Sequence, residues 1–341
     1  MGFNIALNFE DGVTRFIESN PGESVADAAY RQGINIPLDC RDGACGTCKS
    51  FCEAGDYDGG SYIEDALTDE EAAEGYCLTC QMKPKTDVVV RVAASSEVCK
   101  TQASDLHGEI AAVDVLSPSA ISLTVKLADI RQLSFLPGQY VNIRVPGTME
   151  ARAYSFSSAP GAETVTFLIR NVPGGVMSSY LTGHAKPGDE VVLKGPLGSF
   201  YLRDLKRPVV MLAGGTGLAP FLSMLGQLAR TGGSAQPIHL IYGVTNDSDL
   251  VGVSALEEAQ RTLPNFTFAT CVADAASNHP LKGFVTHHLT EAHLNAGEID
   301  VYLCGPPPMV EAVRTFLRDK GVNPVNFHYE KFAPSAEGSP K

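Results

Sequence analysis

Residues 38–52 read LDCRDGACGTCKSFC and place four cysteines, Cys40, Cys45, Cys48 and Cys52, within thirteen residues. The first three are spaced C-x4-C-x2-C in a loop of small residues, Gly43, Ala44, Gly46 and Thr47, which lets backbone N–H groups come close to sulfur. The rest of the chain defines their chemical setting. Its 341 residues, 44% hydrophobic and 19% charged, suffice for two or three domains with separate cores and exclude a single small disulfide scaffold. The opening MGFNIALNFEDG carries acidic residues where a secretory signal needs basic ones, Ala6 stands where a myristoylation signal needs Ser or Thr, and no apolar run approaches the ~20 residues of a membrane span. The expectation is a soluble, cytoplasmic protein. Thiols there stay reduced, so clustered cysteines bind metal or perform redox chemistry.

The spacing discriminates among metals. C-x4-C-x2-C is the plant-type 2Fe-2S pattern, whereas zinc sites usually pair two C-x2-C units. A fourth ligand is needed, and Cys52, Cys77 and Cys80 are the nearby candidates. TCKSFCEAG reads as a strand leaving the loop, and four extended residues span roughly 13 Å, which carries Cys52 away. That leaves the segment GYCLTCQ, with Cys77 and Cys80. The loop resembles the plant-type ferredoxins, in which the distant ligand ends an L-x-C sequence; here that is Leu78-Thr79-Cys80. The resemblance implies Cys40, Cys45, Cys48 and Cys80 as the iron ligands. Cys52, Cys77 and Cys99 then read as small core or surface residues.

Three regions follow one another. Residues 1–97 hold short β-like runs (FNIALNFE, RFIE, DVVVRVAA) and one helical stretch, SVADAAYRQG, as a small α+β unit. Residues 98–106 are polar and aperiodic enough for a linker. Residues 107–205 alternate as strands between turns (AISLTVKLA, QYVNIRV, TVTFLIRNV, DEVVLKG) with almost no helical periodicity, which predicts an antiparallel β-barrel. Residues 206–333 alternate strand and helix (PVVMLA, FLSMLGQLAR, PIHLIYGV, SALEEAQRTL, FTFATCV, IDVYLCG, PMVEAVRTFLRDKG), which predicts a parallel, doubly wound α/β sheet that binds ligands at the carboxyl ends of its strands. Residues 334–341 are expected to be a flexible tail. His287 and His288 read as surface or packing residues rather than a metal pair, because neighbours on a helix diverge.

Two turns carry the chemistry of the last region. LAGGTGLAPF (212–221) follows an apolar strand, and its glycines Gly214, Gly215 and Gly217, with Thr216, let the backbone approach a pyrophosphate at a helix start marked by Pro220. YLCGPPPMV (302–310) repeats the strand, turn and helix sequence with Cys304, Gly305 and Pro306. Cys304 is either a buried core thiol or part of a nicotinamide site, and spacing leaves both open.

A plant-type ferredoxin followed by a barrel with RAYSFSS and a GGTGxAP…CGPPPM region resembles the reductases of two-component ring-hydroxylating dioxygenases, of the benzoate and toluate 1,2-dioxygenase type, over residues 1 to about 333. The resemblance implies a β-grasp ferredoxin domain, an FAD-binding barrel and an NAD-binding α/β domain. It implies that Arg152, with Ala153 beside it, neutralises the flavin phosphates, that Tyr154 lies against the isoalloxazine and that Ser155 hydrogen-bonds near N5. It assigns the phosphate turn to Gly175, Val176, Met177 and Ser178, with Ser179 adjacent, and the stacking aromatic to Phe332. NADH gives electrons in pairs, a 2Fe-2S cluster takes them singly, and a flavin does both. The expected function is therefore electron transfer from NADH through FAD and the cluster to a terminal oxygenase acting on an aromatic carboxylate, with Ser155, Cys304 and Glu330 at the hydride site. A di-iron monooxygenase reductase, or a non-enzymatic iron-sulfur carrier with a regulatory nucleotide site, are the alternatives.

Charge completes the reading. Residues 1–97 hold 18 Asp and Glu against 7 Lys and Arg, a formal charge of −11 out of the chain's −13. This favours a basic docking patch on the oxygenase and excludes nucleic acid as a partner; a monomer is expected. After PIHLIYGV, Asp247 and Asp249 in TNDSDL would repel a 2′-phosphate, with no arginine nearby in the sequence, so NADH is the expected reductant.

Overall fold

The computed structural model describes residues 2–100 and 103–331, so the expected tail and Phe332 lie outside the described residues. The chain divides into two compact units, residues up to 104 with 195–199, and 105–194 with 200 onwards.

The first unit is a mixed five-stranded sheet. Its elements are β1 (Asn4–Phe9), β2 (Thr14–Glu18), α1 (Val25–Arg31), β3 (Lys49–Ala54), β4 (Tyr57–Asp58), α2 (Asp69–Glu74), β5 (Tyr76–Leu78), β6 (Lys83–Pro84) and β7 (Val88–Val92). The order β2-β1-β7-β3-β5, with β1 and β7 parallel, follows from alternation: Ile5, Leu7 and Phe9 of β1 are buried on one face, beneath Val25, Ala28 and Ala29 of α1. Ser24 caps α1 by accepting from the Asp27 amide, and its small apolar face allows close packing.

The second unit opens with a barrel. β8 (Ser104–Ser117), β9 (Ala120–Leu127), β10 (Tyr140–Arg144), β11 (Ala151–Ser155), β12 (Val165–Arg170), α3 (Val176–Gly183) and β13 (Glu190–Leu197) form a six-stranded sheet, β11-β10-β13-β8-β9-β12, plus one helix. Its ends meet at the antiparallel bridge Phe156–Phe167, where the Ser157 amide donates to Thr166 O at 2.8 Å. Ile121, Leu123, Val125 and Leu127 of β9 alternate inward. Two expectations change. β8 begins at Ser104, inside the segment expected as linker; and α3 stands where no helix was expected, since five of its eight residues are Ser, Thr, Gly or Tyr and carry too little apolar periodicity to be seen.

The same unit continues with β14 (Val209–Gly214), α4 (Ala219–Thr231), β15 (Ile238–Val244), α5 (Val253–Thr262), β16 (Phe266–Val272), α6 (Glu291–Leu294), β17 (Asp300–Gly305), α7 (Pro307–Asp319) and β18 (Asn326–Lys331). All five strands are parallel in the order β16-β15-β14-β17-β18. β14 and β17 are apolar almost without interruption because helices cover both faces. The winding direction reverses between them, so a crevice opens at their carboxyl ends. No helix among the described residues is long and apolar enough to cross a membrane.

Candidate functional site

In the first unit the cysteine loop turns back on itself through left-handed residues, Arg41 (φ 64°), Gly43 (φ 82°) and Gly46 (φ 73°). Gly43 has no alternative: a Cβ there would sit 2.4 Å from Ser61 O. The turn aims amides at sulfur. The Cys45 amide donates to Cys40 Sγ at 3.3 Å, the Gly43 amide to Cys80, and the Gln81 side chain approaches Cys80 Sγ at 3.8 Å. The thiols form two pairs. A hydrogen bond from Cys40 lowers Cys45 to about 6, and one from Cys48 lowers Cys80 to about 7, while the donors Cys40 and Cys48 are pushed up.

No three His, Cys, Asp or Glu side chains among the described residues converge as a single metal ion requires. Two pairs of thiols lined by inward amides are instead what a two-iron cluster needs, with two thiolates on each iron. Cys48 and Cys80 pack in one small cluster with Leu78, Ala66 and Leu67. Cys77 points to the other side of β5 into the main core, where burial raises it to about 12. Cys52 lies on β3 against the carbonyls of Ala54 and Gly55, and Cys99 is buried, likewise at about 12.

In the second unit β11 alternates, so Arg152 and Tyr154 share one face, half-buried, while Ala153 is exposed. The Arg152 guanidinium is paired with Glu150 Oε2 at 2.5 Å. Burial pushes the Tyr154 phenol up, which keeps it neutral, and its ring packs against the barrel core. β12 leads to Gly175, the N-cap of α3, whose Val176, Met177 and Ser178 form the first turn. Ser178 Oγ accepts from the Val172 amide at 2.9 Å and donates to Arg170 O, and the start of α3, with Ser179 next in the helix, lies beside the open Gly174.

At the α/β switch point the two glycine turns touch. A Cβ on Gly217 would lie 2.3 Å from Cys304 O, and one on Gly214 would lie 2.5 Å from Met309 Sδ and 3.1 Å from Pro306 Cδ. Gly215, Thr216 and Gly217 belong to a 3₁₀ turn between β14 and α4, so the long helix begins at Ala219 with Pro220 in its first turn. Cys304 is fully buried, and burial with the Glu330 carboxylate alongside pushes its thiol well up. Glu330 is its partner across β17 and β18. Ser155, 3% exposed at the end of β11, donates to Glu330 Oε2 at 2.9 Å. Three residues far apart in sequence thus meet at the crevice.

Sequence reading missed several neighbours. Met309 lies on both glycine turns, Gln81 adjoins the thiols, and Asp249, though burial raises it, is lowered by hydrogen bonds from Ser119 and Asn246, with Arg170 of β12 contributing last. Met309, Gln81 and Arg170 all sat inside quoted stretches, Met309 in YLCGPPPMV, Gln81 in GYCLTCQ and Arg170 in TVTFLIRNV, without being singled out. His287 and His288 do not converge: their rings stand at 70°, and each engages backbone of its own turn.

Residues 8–85 match the family described as the 2Fe-2S iron-sulfur cluster binding domain, 107–201 the oxidoreductase FAD-binding domain, and 211–315 the oxidoreductase NAD-binding domain. Over 98% of its length the chain is similar to the whole toluate 1,2-dioxygenase electron transfer component of Pseudomonas putida, at 58% identity. Over 97% it is similar to 98% of the 2-halobenzoate 1,2-dioxygenase electron transfer component of Burkholderia cepacia, at 52% identity. The solved cytochrome P450 reductase of Amycolatopsis superposes with a TM-score of 0.71 at 32% identity, over 97% of this chain and 99% of that one.

Proposed function

This chain belongs to the family of 1,2-dioxygenase electron transfer components, and from that premise we propose that it is the NADH-dependent reductase of a terminal ring-hydroxylating oxygenase acting on an aromatic carboxylate such as benzoate. It is an oxidoreductase with 2Fe-2S, FAD-binding and NAD-binding domains. The observation that carries the finer reading is the hydrogen bond from Ser155 of the barrel to Glu330 of β18, beside Cys304 at the carboxyl end of β17. When bound, NADH supplies an electron pair as hydride, FAD exchanges electrons in pairs or singly, and the cluster passes them on one at a time.

The chain's own residues bind and orient. Gly214 to Gly217 and Cys304 to Pro306 hold the dinucleotide, the glycines letting the two turns pack closely at the strand ends. Arg152 and the start of α3, Gly175 to Ser179, neutralise flavin phosphates, with Arg152 exchanging its Glu150 partner for them. Tyr154 supports the ring and Ser155 supplies a hydroxyl whose orientation Glu330 sets. Cys304 stays a protonated thiol, so it fills space at the nicotinamide site rather than acting as a nucleophile. Cys40, Cys45, Cys48 and Cys80 hold the cluster.

In this reading the ferredoxin domain spans 1–97, the barrel 107–205 and the NAD domain 206–333, and the protein works as a cytoplasmic monomer. The acidic excess of residues 1–97 supports docking to a basic patch on the oxygenase. The test is anaerobic addition of NADH to the fully loaded protein. Bleaching of the flavin band followed by a reduced-cluster EPR signal, and then oxidation by a purified aromatic-carboxylate oxygenase, is expected; cluster bands with no flavin response would overturn the reading.

A further inference from the structure

A second serine–carboxylate contact joins the barrel to the α/β region, on the β15 side of the sheet. Ser119, in the turn between β8 and β9, donates from Oγ to Asp249 Oδ1 at 2.5 Å, across 130 residues of sequence. Both ends are held. On the barrel side the Ser119 amide donates to Ser117 Oγ at 3.2 Å and the Asn171 amide donates to Ser119 O at 2.8 Å. On the other side Asp249 Oδ2 accepts from the Asn246 amide and side chain at 3.2 and 2.9 Å, and the fully buried Tyr242 donates to Asp249 O at 3.3 Å. Its position in the fold is informative. Asp249 follows the carboxyl end of β15, one strand from β14, while Glu330 lies near the carboxyl end of β18, one strand from β17. The two contacts therefore flank the switch-point crevice on opposite sides, each with the serine on the barrel and the carboxylate on the α/β region.

We propose that Ser119 and Asp249 form a clasp that positions the α/β region against the barrel, so that the crevice presents a bound nicotinamide to the flavin at the right distance. Asp249 is then a positioning residue whose carboxylate is engaged by the barrel, which revises the expectation that it serves only to repel a 2′-phosphate. The clasp adds to other contacts across the same boundary, Arg230 donating to Pro160 O and Ala120 and Leu168 packing in the core of the α/β region, and secures the flank beside β15. Hydride transfer is sensitive to misplacement on the ångström scale, so loosening one flank slows it without removing any group from the reacting centre.

The inference rests on the NADH-to-flavin reading, so one arm of its test needs neither cofactor turnover nor NADH. In the full-length loaded protein, Asp249→Ala should speed hydrogen exchange at the amides of Ser117, Ser119 and Ala120 by about tenfold, the scale of one hydrogen bond to a charged group, with β10 and β12 unchanged. In stopped flow, Ser119→Ala and Asp249→Ala should each lower the limiting rate of flavin reduction by about tenfold with the NADH dissociation constant unchanged. The double variant should be no slower than either single, and Ser119→Thr should restore the rate, since both residues serve one contact. Additive losses, a wild-type rate in Ser119→Ala, or unchanged exchange at Ser117, Ser119 and Ala120 would each overturn the clasp. Absence of flavin reduction in the unmodified protein would overturn the functional reading alone, and the exchange arm would still decide the clasp.

Discussion

Ser155 Oγ donates to Glu330 Oε2 at 2.9 Å, joining the last residue of β11 to β18 across 175 residues. With Cys304 opposite Glu330 in the sheet, this contact marks where the barrel and the α/β region share chemistry. Ser155→Ala and Glu330→Gln should lower the limiting rate of flavin reduction by about tenfold to a hundredfold, the range for loss of a positioned polar group at a reacting centre. The cost in stability should be only about 1 kcal/mol. Stopped-flow reduction set beside thermal melts separates the two, and a variant that melts early but reacts at the normal rate would show the contact to be purely structural.

The cysteines of GYCLTCQ should behave oppositely. Cys80 shares a pocket with Cys48, whereas Cys77 faces the main core. Cys80→Ser should abolish or gravely weaken the cluster, while Cys77→Ser and Cys52→Ser keep the reduced-state EPR signal. Loss of the signal in Cys77→Ser but not Cys80→Ser would reverse the ligand assignment.

NADH should be preferred over NADPH. Asp247, exposed after β15 with Oδ1 accepting from Ser277 at 2.7 Å, would repel a 2′-phosphate bound at this loop. Comparing kcat/KM for the two nucleotides decides it; similar values would show that this loop does not select.

Electron delivery should be salt-sensitive. Residues 1–97 hold 18 acidic against 7 basic residues, and their field is screened over a Debye length of ~8 Å at physiological ionic strength. Oxygenase reduction should slow as salt rises to ~0.5 M, while reduction of a small neutral dye changes far less. Parallel salt curves would assign the acidic surface to solubility alone.

Acid should weaken the α/β region by way of His239. Its ring stacks on His293 at 4.0 Å, and burial, then the neighbouring imidazole, lower it to about 4 from an ordinary value of 6.5. The unfolded chain takes up the proton first, so stability is undiminished above about 6.5 and declines as pH falls from there toward 4. His239→Gln should flatten this part of the melting curve against pH. An unchanged slope would place the acid sensitivity elsewhere, with His328, itself lowered to about 3, as the next group to replace.

Local chemistry made much of this protein legible in its residues. The C-x4-C-x2-C loop, the alternation of β9 and the apolar runs of β14 and β17 each depend on neighbours a few residues away, so spacing and period announced an iron-sulfur loop, a barrel and a parallel sheet. The helix α3 escaped notice because its eight residues are held by the barrel rather than by their own periodicity. Only the tertiary structure brought Ser155 to Glu330, Ser119 to Asp249, Arg170 toward Asp249 and Met309 onto Gly214 and Gly305. It also directed Cys77, on β5, into the main core and Cys80, in the turn just after it, into the small cluster with Cys48. Contacts of this kind depend on strand order and chain crossing, and a sequence records those only through the cooperative packing of the whole fold.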